Sequence, residues 1–230
     1  MKKSLSLNTV ALITFGIDIL AIAIAISRAI LLDRSPMRYF GENGFITWIS
    51  VLQLLVIAVF CWKISIVRSK RIKSAPIRLS KSSVIFWRIM AMGMFFFALD
   101  EGLEIHENLD KGIHTLLQKE STSFSGRLDD FIILFYAIAG LIIIYLFKNE
   151  FKNFIASLSW FIWGFFFSLW TIVLDMVGHN RATFTKFANN LEQLNEIHHW
   201  FSAIEEIPKI LAGGAFLVAF YYCFQISKKL

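Results

Sequence analysis

Charge and cysteine are both scarce in this chain of 230 residues. Only 17% of the residues are charged, whereas 57% are hydrophobic and 24 are phenylalanine. Water-soluble domains carry more charge, so this composition excludes an ordinary soluble protein and predicts apolar surface in contact with lipid. The two cysteines, Cys61 and Cys223, both lie in apolar runs. That placement argues against a disulfide framework or a cysteine-based metal site, and it favours thiols that act as small apolar side chains.

Six apolar stretches are long enough to cross a bilayer core of about 30 Å, which takes roughly 20 helical residues. The chain has no visible repeat, low-complexity tract or glycine-rich phosphate loop. We therefore predict an all-α, polytopic membrane protein, with one integral membrane domain (residues 1–230) folded as a six-transmembrane-helix bundle. The first span is predicted to be an uncleaved helix, because Asp18 interrupts it and no clear cleavage site follows. The predicted spans are residues 8–31, 44–66, 83–104, 131–147, 154–177 and 207–226.

Lysine and arginine are unequally distributed between the two predicted faces of the membrane. The segment between spans two and three carries six of them and no acid. Placing it in the cytoplasm puts 14 of the 23 lysines and arginines there with a single acid, Glu150. Because cytoplasmic loops are enriched in these residues, both chain ends are predicted to be cytoplasmic, in a plasma membrane or bacterial-type inner membrane. The net charge of +6 then comes from residues that flank helices beside anionic lipid, which excludes nucleic acid as a partner.

All five histidines and most acids fall on the opposite, extracytoplasmic face. Only eleven uncharged residues separate Arg88 from Asp100 in the third span, so Asp100, Glu101 and Glu104 are predicted near the outer membrane boundary. Ionised carboxylates at that depth need a partner, a metal ion or a wet cavity. In a continuous helix Asp100, Glu104 and Glu107 share one face, and their repulsion requires a cation, an arginine or shared protons. The alternative is an acidic helix end that frays into water.

The end of the fifth span adds potential ligands of the same kind. Asp175 and His179 have the i, i+4 spacing of a bidentate metal pair, or of a carboxylate that orients a histidine. The segment that follows is predicted to be an amphipathic surface helix before the last span, because it carries an apolar stripe at helical spacing. Its Glu196 and His199 have the Glu-x-x-His spacing of di-metal helical bundles, although such a pair is common by chance.

Three further residues of this segment could take part in a site or serve only structure. His198 and Glu205 fall within the apolar stripe, and Glu206 lies two turns from His199. The two glutamates also suit the start of the last span, with Pro208 predicted in its first turn. Asp18 differs from these, because it lies alone in the middle of the first span. An intramembrane carboxylate indicates function by default, and the alternative is a protonated group bonded to a neighbouring helix.

Three functions are compatible with this pattern. The first is a metal-dependent membrane hydrolase or oxidase acting on a lipid-like substrate, with Glu101 and His198 as catalytic candidates and zinc, iron or manganese bound by Asp100, Glu104, Glu107, Asp175, His179 and His199. The second is a cation- or proton-coupled transporter or channel that uses Asp18 and the outer acids, including Glu205 and Glu206. A path for transport would need a homo-oligomer, because six spans are few. The third is a non-catalytic assembly or binding protein in contact with membrane lipid.

Overall fold

The computed structural model describes residues 5–74, 81–105, 108–109, 128–178 and 183–230, and this part of the chain is all-helical, as predicted. Two short 3-10 segments, Lys152–Ser157 and Thr185–Phe187, precede the seventh and eighth helices. The helices are α1 (Leu7–Leu31), α2 (Met37–Phe40), α3 (Phe45–Ser74), α4 (Lys81–Leu103), α5 (Leu128–Leu146), α6 (Lys148–Phe151), α7 (Leu158–Gly178) and α8 (Leu191–Lys229).

Five helical segments are long and apolar enough to cross a membrane: Leu7–Leu31, Met37–Arg71, Ser82–Leu103, Lys148–Gly178 and Leu191–Lys229. The predicted helical character is therefore confirmed, and these five segments support a multi-pass membrane protein. A sixth span is not confirmed, because α5 coincides with the predicted fourth span but is not one of these five. Predicted and observed bounds agree within one or two residues for α1 and α4, whereas α3 continues well beyond the predicted end at residue 66.

The long helix α8 lies against α1, α3 and α7. Small residues are buried on both α1 and α8: Ala21 and Ala25 on α1, and Ala212, Gly214 and Ala215 on α8. Helices in lipid associate through close packing of small residues, because lipid chains are already as apolar as the side chains. Because α1 and α8 approach each other closely, side chains of α1 lie next to the backbone of α8.

A separate surface helix before the last span is not confirmed. Instead, α8 runs without a break from Leu191 to Lys229, and Pro208 lies in its interior rather than in a first turn as predicted. An internal proline removes one backbone hydrogen bond, and Pro208 is buried within the bundle. At 1.5 Å per residue the 39 residues of α8 span about 58 Å, nearly twice a bilayer core.

Polar contacts at the two ends of the bundle define its direction. At the end that we call the inner end, Tyr221 Oη donates to the carbonyl of Leu5 (2.7 Å) and Arg71 donates to the carbonyl of Lys228 (2.7 Å). At the opposite, outer end, Asn43 Nδ2 donates to Glu104 Oε1 (2.7 Å). The start of α1 and the end of α8 therefore lie at the same end, as the predicted topology requires.

Candidate functional site

A cavity of about 230 Å³ lies at the outer end of the bundle, between α2, the start of α3, the end of α4 and the middle of α8. Five carboxyl groups and one ammonium group line it, together with the hydroxyl of Thr47. With the carboxyl groups ionised, negative charge exceeds positive charge, so the cavity attracts cations. The polar lining residues are Glu42, Thr47, Glu101, Glu104, Glu205, Glu206 and Lys209.

Lys209 occupies the middle of this acidic lining. Its Nζ lies 2.8 Å from Glu101 Oε1 and 3.3 Å from Glu206 Oε2. Glu206 precedes Lys209 by three residues on α8, a spacing at which helical side chains meet. Glu101 comes from the last turn of α4, so the ion pairs connect α4 to α8. Glu101 and Glu206, which the sequence places only in the same outer region, thus share Lys209 as their compensating cation.

The predicted stack of Asp100, Glu104 and Glu107 on one helical face is wrong for Glu104. The helix α4 ends at Leu103, and Glu104 has a positive φ of 53°, which takes its side chain out of the helical register. There it accepts the hydrogen bond from Asn43, whose own φ is 60°. This break separates Glu104 from Asp100 and relieves their repulsion. Glu107 lies outside the described residues.

Asp100 and Glu101 point in different directions although they are neighbours in sequence. Asp100 is buried, with 7% of its surface exposed, and it interacts electrostatically with Tyr136 of α5. Glu101 points toward α8 and Lys209. About 100° of helical rotation separates consecutive residues, which accounts for the two directions. Asp100 therefore does not line the acidic cavity.

The two candidate histidines also lie away from the cavity. His198 is half-buried, and its ring meets the edge of Phe184 at a centroid distance of 6.0 Å. His199 is exposed, with Nδ1 3.5 Å from the hydroxyl of Ser35. His198 is therefore packed in an aromatic contact, and the prediction that it acts in catalysis beside Glu101 finds no support in this arrangement.

Asp175 belongs to the outer acidic region, but at its α7 side. It is exposed and interacts electrostatically with Glu205 and Glu206. Glu205 in turn lies against Gly178 at the end of α7, so closely that a β-carbon there would approach its Oε2 to 2.7 Å. Three acids thus come together where α7 meets α8. His179, the predicted partner of Asp175, lies outside the described residues.

The predicted metal site is not assembled among the described residues. Within residues 5–74, 81–105, 108–109, 128–178 and 183–230, no group of three or more histidine, cysteine or acidic side chains is arranged to hold a metal ion. Asp100 faces α5, Glu104 binds Asn43, and His199 faces Ser35. The zinc, iron or manganese site therefore stays a prediction, since two of its ligands, Glu107 and His179, are not described.

A second polar group lies deeper in the bundle, around Asp18. Gln53 Nε2 of α3 donates to Asp18 Oδ1 at 2.7 Å, and both side chains are buried, with 5% and 1% of their surface exposed. Across from them are Gly213 and Gly214 of α8. A β-carbon on Gly213 would collide with Gln53 Oε1, and one on Gly214 would collide with Asp18 Oδ2. The two glycines therefore make the space that the pair occupies.

Buried polar residues connect the two groups. Thr47, Ser50 and Gln53 follow one another at three-residue steps along α3, and each has 7% or less of its surface exposed. Thr47 lines the cavity, and Gln53 binds Asp18. The six residues from Thr47 to Gln53 rise about 9 Å along the helix. The acidic cavity and the Asp18 pair thus lie along the same side of α3, with the cavity nearer the outer end.

Comparison with known proteins gives one family. A family model matches residues 6–224, from the start of α1 almost to the end of α8. The chain belongs to this family, the domain of unknown function DUF8692. No curated protein and no solved structure matches the chain. The acidic cavity and the Asp18 pair both lie within the matched DUF8692 region.

Several residues of the two polar groups are not among the candidates predicted from sequence. Lys209 is one of them, although its i, i+3 spacing from Glu206 indicates a partner. Gln53 lies in a stretch with no charged residue between Glu42 and Lys63, and its amide in mid-membrane is the available signal that Asp18 has a neighbour. Asn43 carried no comparable signal, since its role depends on where α4 ends.

Proposed function

We propose that this DUF8692 protein is a cation- or proton-coupled transporter of a plasma membrane or bacterial-type inner membrane. The observation that carries the proposal is the Asp18–Gln53 pair, which is buried between α1, α3 and α8. No cationic side chain among the described residues pairs with Asp18. The acidic cavity above the pair supports the proposal, because it provides a negatively charged approach from the outer side.

The energetic cost of Asp18 supports a functional role. A charged side chain at the centre of a bilayer costs about 2.5–3.5 kcal/mol on insertion scales, and intramembrane carboxylates of transporters hold protons or ions. Packing alone does not require a carboxyl group at this position, since Ala21 and Ala25 fill the next turns of α1. A role in ion binding accounts for a carboxyl group at a position where its charge costs free energy.

In the proposed mechanism, an incoming cation first enters the outer cavity and competes with Lys209 for Glu101 and Glu206. It then passes along the side of α3 that carries Thr47 and Ser50 and reaches Asp18. Toward the inner end, an apolar core that includes Ile57, Cys61 and Phe220 fills the bundle. In this mechanism the cation therefore enters from the outer side, and release toward the inner side requires the apolar core to rearrange.

We further propose six spans, with α5 as the fourth, and both chain ends in the cytoplasm. Leu5 and Lys228 lie at the same end of the bundle, which supports a location of both chain ends on one side of the membrane. The basic residues at this end support the assignment of that side to the cytoplasm. Because α8 is longer than a bilayer core is thick, its first turns, from Leu191, extend beyond the outer boundary and carry His198 and His199 into the extracytoplasmic space.

The test is charge movement in proteoliposomes adsorbed on a solid-supported membrane, after a jump in either proton or sodium concentration. We expect a transient current in response to at least one of the two ions. In Asp18→Asn the displaced charge falls at least about tenfold, because the intramembrane binding group is lost. The matched control is Asp33→Asn, which neutralises an exposed aspartate and leaves the current unchanged. If neither ion moves charge in folded wild-type protein, the transport proposal is wrong.

A further inference from the structure

The hydrogen bonding between Asp18 and Gln53 is only half complete. Gln53 Nε2 donates to Asp18 Oδ1 at 2.7 Å, but Asp18 Oδ2 and Gln53 Oε1 are buried without a hydrogen-bond partner in the described part of the chain. Both of these oxygen atoms are acceptors when the carboxyl group is ionised. Buried polar groups are almost always paired in native proteins, so the two oxygens indicate a missing donor.

We propose that this pair is a proton-binding site. A proton on Asp18 Oδ2 turns that oxygen into a donor, and Gln53 Oε1 is the acceptor on the residue that is already bound. The carboxylic acid and the carboxamide then form a ring closed by two hydrogen bonds, Nε2 to Oδ1 and Oδ2 to Oε1. One proton thus satisfies both unpartnered oxygens and removes the buried charge.

The surroundings of the pair fit a proton better than a metal cation. A metal cation takes several oxygen ligands, whereas a proton needs one donor and one acceptor. The backbone of Gly213 and Gly214 covers the two unpartnered oxygens, and the methyl group of Thr14, rather than its hydroxyl, approaches Gly214 most closely among the atoms of that residue. None of these neighbours supplies the several side-chain oxygen ligands that a metal cation needs.

The charged groups on the neighbouring helices lie too far along their axes to replace the proton. The next charged residue on α1 is Arg28, ten residues toward the outer end, and on α3 it is Lys63, ten residues toward the inner end. On α8 it is Lys209, which is five residues from Gly214 and already binds Glu101 and Glu206. The titratable thiol of Cys61 on α3 lies eight residues from Gln53. The carboxyl of Asp18 interacts with Gln53 among the described side chains.

This inference deepens the proposed transport function, since it names the coupling ion, but the proton site itself can be measured without transport. The first measurement is infrared difference spectroscopy of the purified full chain at neutral pH. We expect a carbonyl band of a protonated carboxylic acid that shifts on exchange into D₂O and disappears in Asp18→Asn. In Gln53→Leu the band moves to higher frequency, because the carboxyl group loses its partner. Asp33→Asn leaves the band unchanged.

The second measurement is the thermal unfolding of the same variants. Asparagine reproduces the protonated pair, because its Nδ2 donates to Gln53 Oε1 while its Oδ1 accepts from Gln53 Nε2. We therefore expect Asp18→Asn to unfold at or above the wild-type temperature, and Asp18→Leu to unfold below it. A carboxylate band that vanishes in Asp18→Asn, with no acid band in the wild type, overturns the inference.

The two proposals can fail separately. A sodium-driven current without an acid band leaves the transport function standing and overturns the proton site. An acid band without charge movement for either ion supports the proton site and contradicts transport. An acid band together with a current that responds to protons and not to sodium is the expected result.

Discussion

At the scale of single residues, Glu150 has the densest set of contacts at the inner end. Its Oε1 accepts from Arg68 Nε (3.0 Å) and Trp87 Nε1 (3.0 Å), and its Oε2 accepts from Ser83 Oγ (2.8 Å) and Asn153 Nδ2 (3.2 Å). Arg68 is itself buried, with 2% of its surface exposed. From the sequence Glu150 was only the single acid among cytoplasmic cations. The structure shows that it joins α3, α4 and the α6 turn.

We expect Glu150→Gln to lower the free energy of unfolding by roughly 3–5 kcal/mol, because the substitution leaves the buried guanidinium of Arg68 without a compensating charge. Denaturant unfolding in detergent followed by tryptophan fluorescence measures this change, since Trp87 lies in the same cluster. The control is Glu196→Gln, which neutralises an exposed glutamate of α8. Replacing both Arg68 and Glu150 by methionine restores much of the loss. Equal stability of Glu150→Gln and the control would contradict this role.

At the scale of secondary-structure elements, the packing of α7 on α8 depends on a glycine, Gly164, which has no side chain to separate the two helices. A β-carbon on Gly164 would lie 2.5 Å from Cε1 of Phe216 and 2.6 Å from its Cδ1. The ring of Phe216 also stacks edge-on with Phe165 at 5.2 Å and contacts Phe161. This aromatic contact therefore covers the glycine directly. The sequence shows the phenylalanines of α7 but not which of its positions faces α8.

We expect Gly164→Ala to destabilise the protein by about 1–3 kcal/mol, because the added methyl group displaces the ring of Phe216. Gly93→Ala on α4 is the matched control, since a β-carbon there meets no atom within 4 Å. The control stabilises the helix by about 0.5–1 kcal/mol, as alanine does in place of glycine. The midpoint of thermal unfolding compares the two variants. If Phe216→Leu fails to rescue Gly164→Ala, the steric explanation does not hold.

At the scale of the whole molecule, the bundle has chemically distinct ends. The inner end carries Arg71 and Lys228 beside the start of α1, and the outer end carries the acidic cavity. Two exposed positions report on the two ends, because Asn149 lies in the α6 turn and Ser35 follows α1. Cys61 and Cys223 are buried, so native thiols do not interfere with labelling.

We expect a membrane-impermeant maleimide to label Ser35→Cys from outside intact cells, and Asn149→Cys only after the membrane is permeabilised. The difference follows from the basic inner end, which the positive-inside rule places in the cytoplasm. Unsubstituted protein is the control for the native cysteines. Labelling of Asn149→Cys alone from outside would show that the orientation is reversed. Labelling of both positions from outside would contradict the three spans proposed between them, because an odd number of spans places the two positions on opposite sides.

The all-helical class and the approximate positions of the five long apolar helices follow from the sequence alone. Apolar runs of about 20 residues predict spans wherever they occur, because the bilayer imposes the same length on every helix. Helix ends predicted from the first charged residue after an apolar run were less accurate. The helix α3 continues past Lys63 to Ser74, because charged residues end a membrane span but do not end a helix. The location of the outer acids near the membrane boundary also follows from sequence, because it depends only on how many residues of one helix separate them from the opposite boundary.

Only the tertiary structure decided which of these groups meet. Glu101 contacts Lys209, and Asp18 contacts Gln53, although each pair is separated by 35 or more residues in the sequence. No local sequence pattern predicts a contact between residues so far apart. Glu104 leaves its helical face because its backbone turns at the end of α4, where a contact with Asn43 becomes available. Helical spacing therefore predicts acidic side chains at the outer end but not their partners, since partners depend on how separate helices pack.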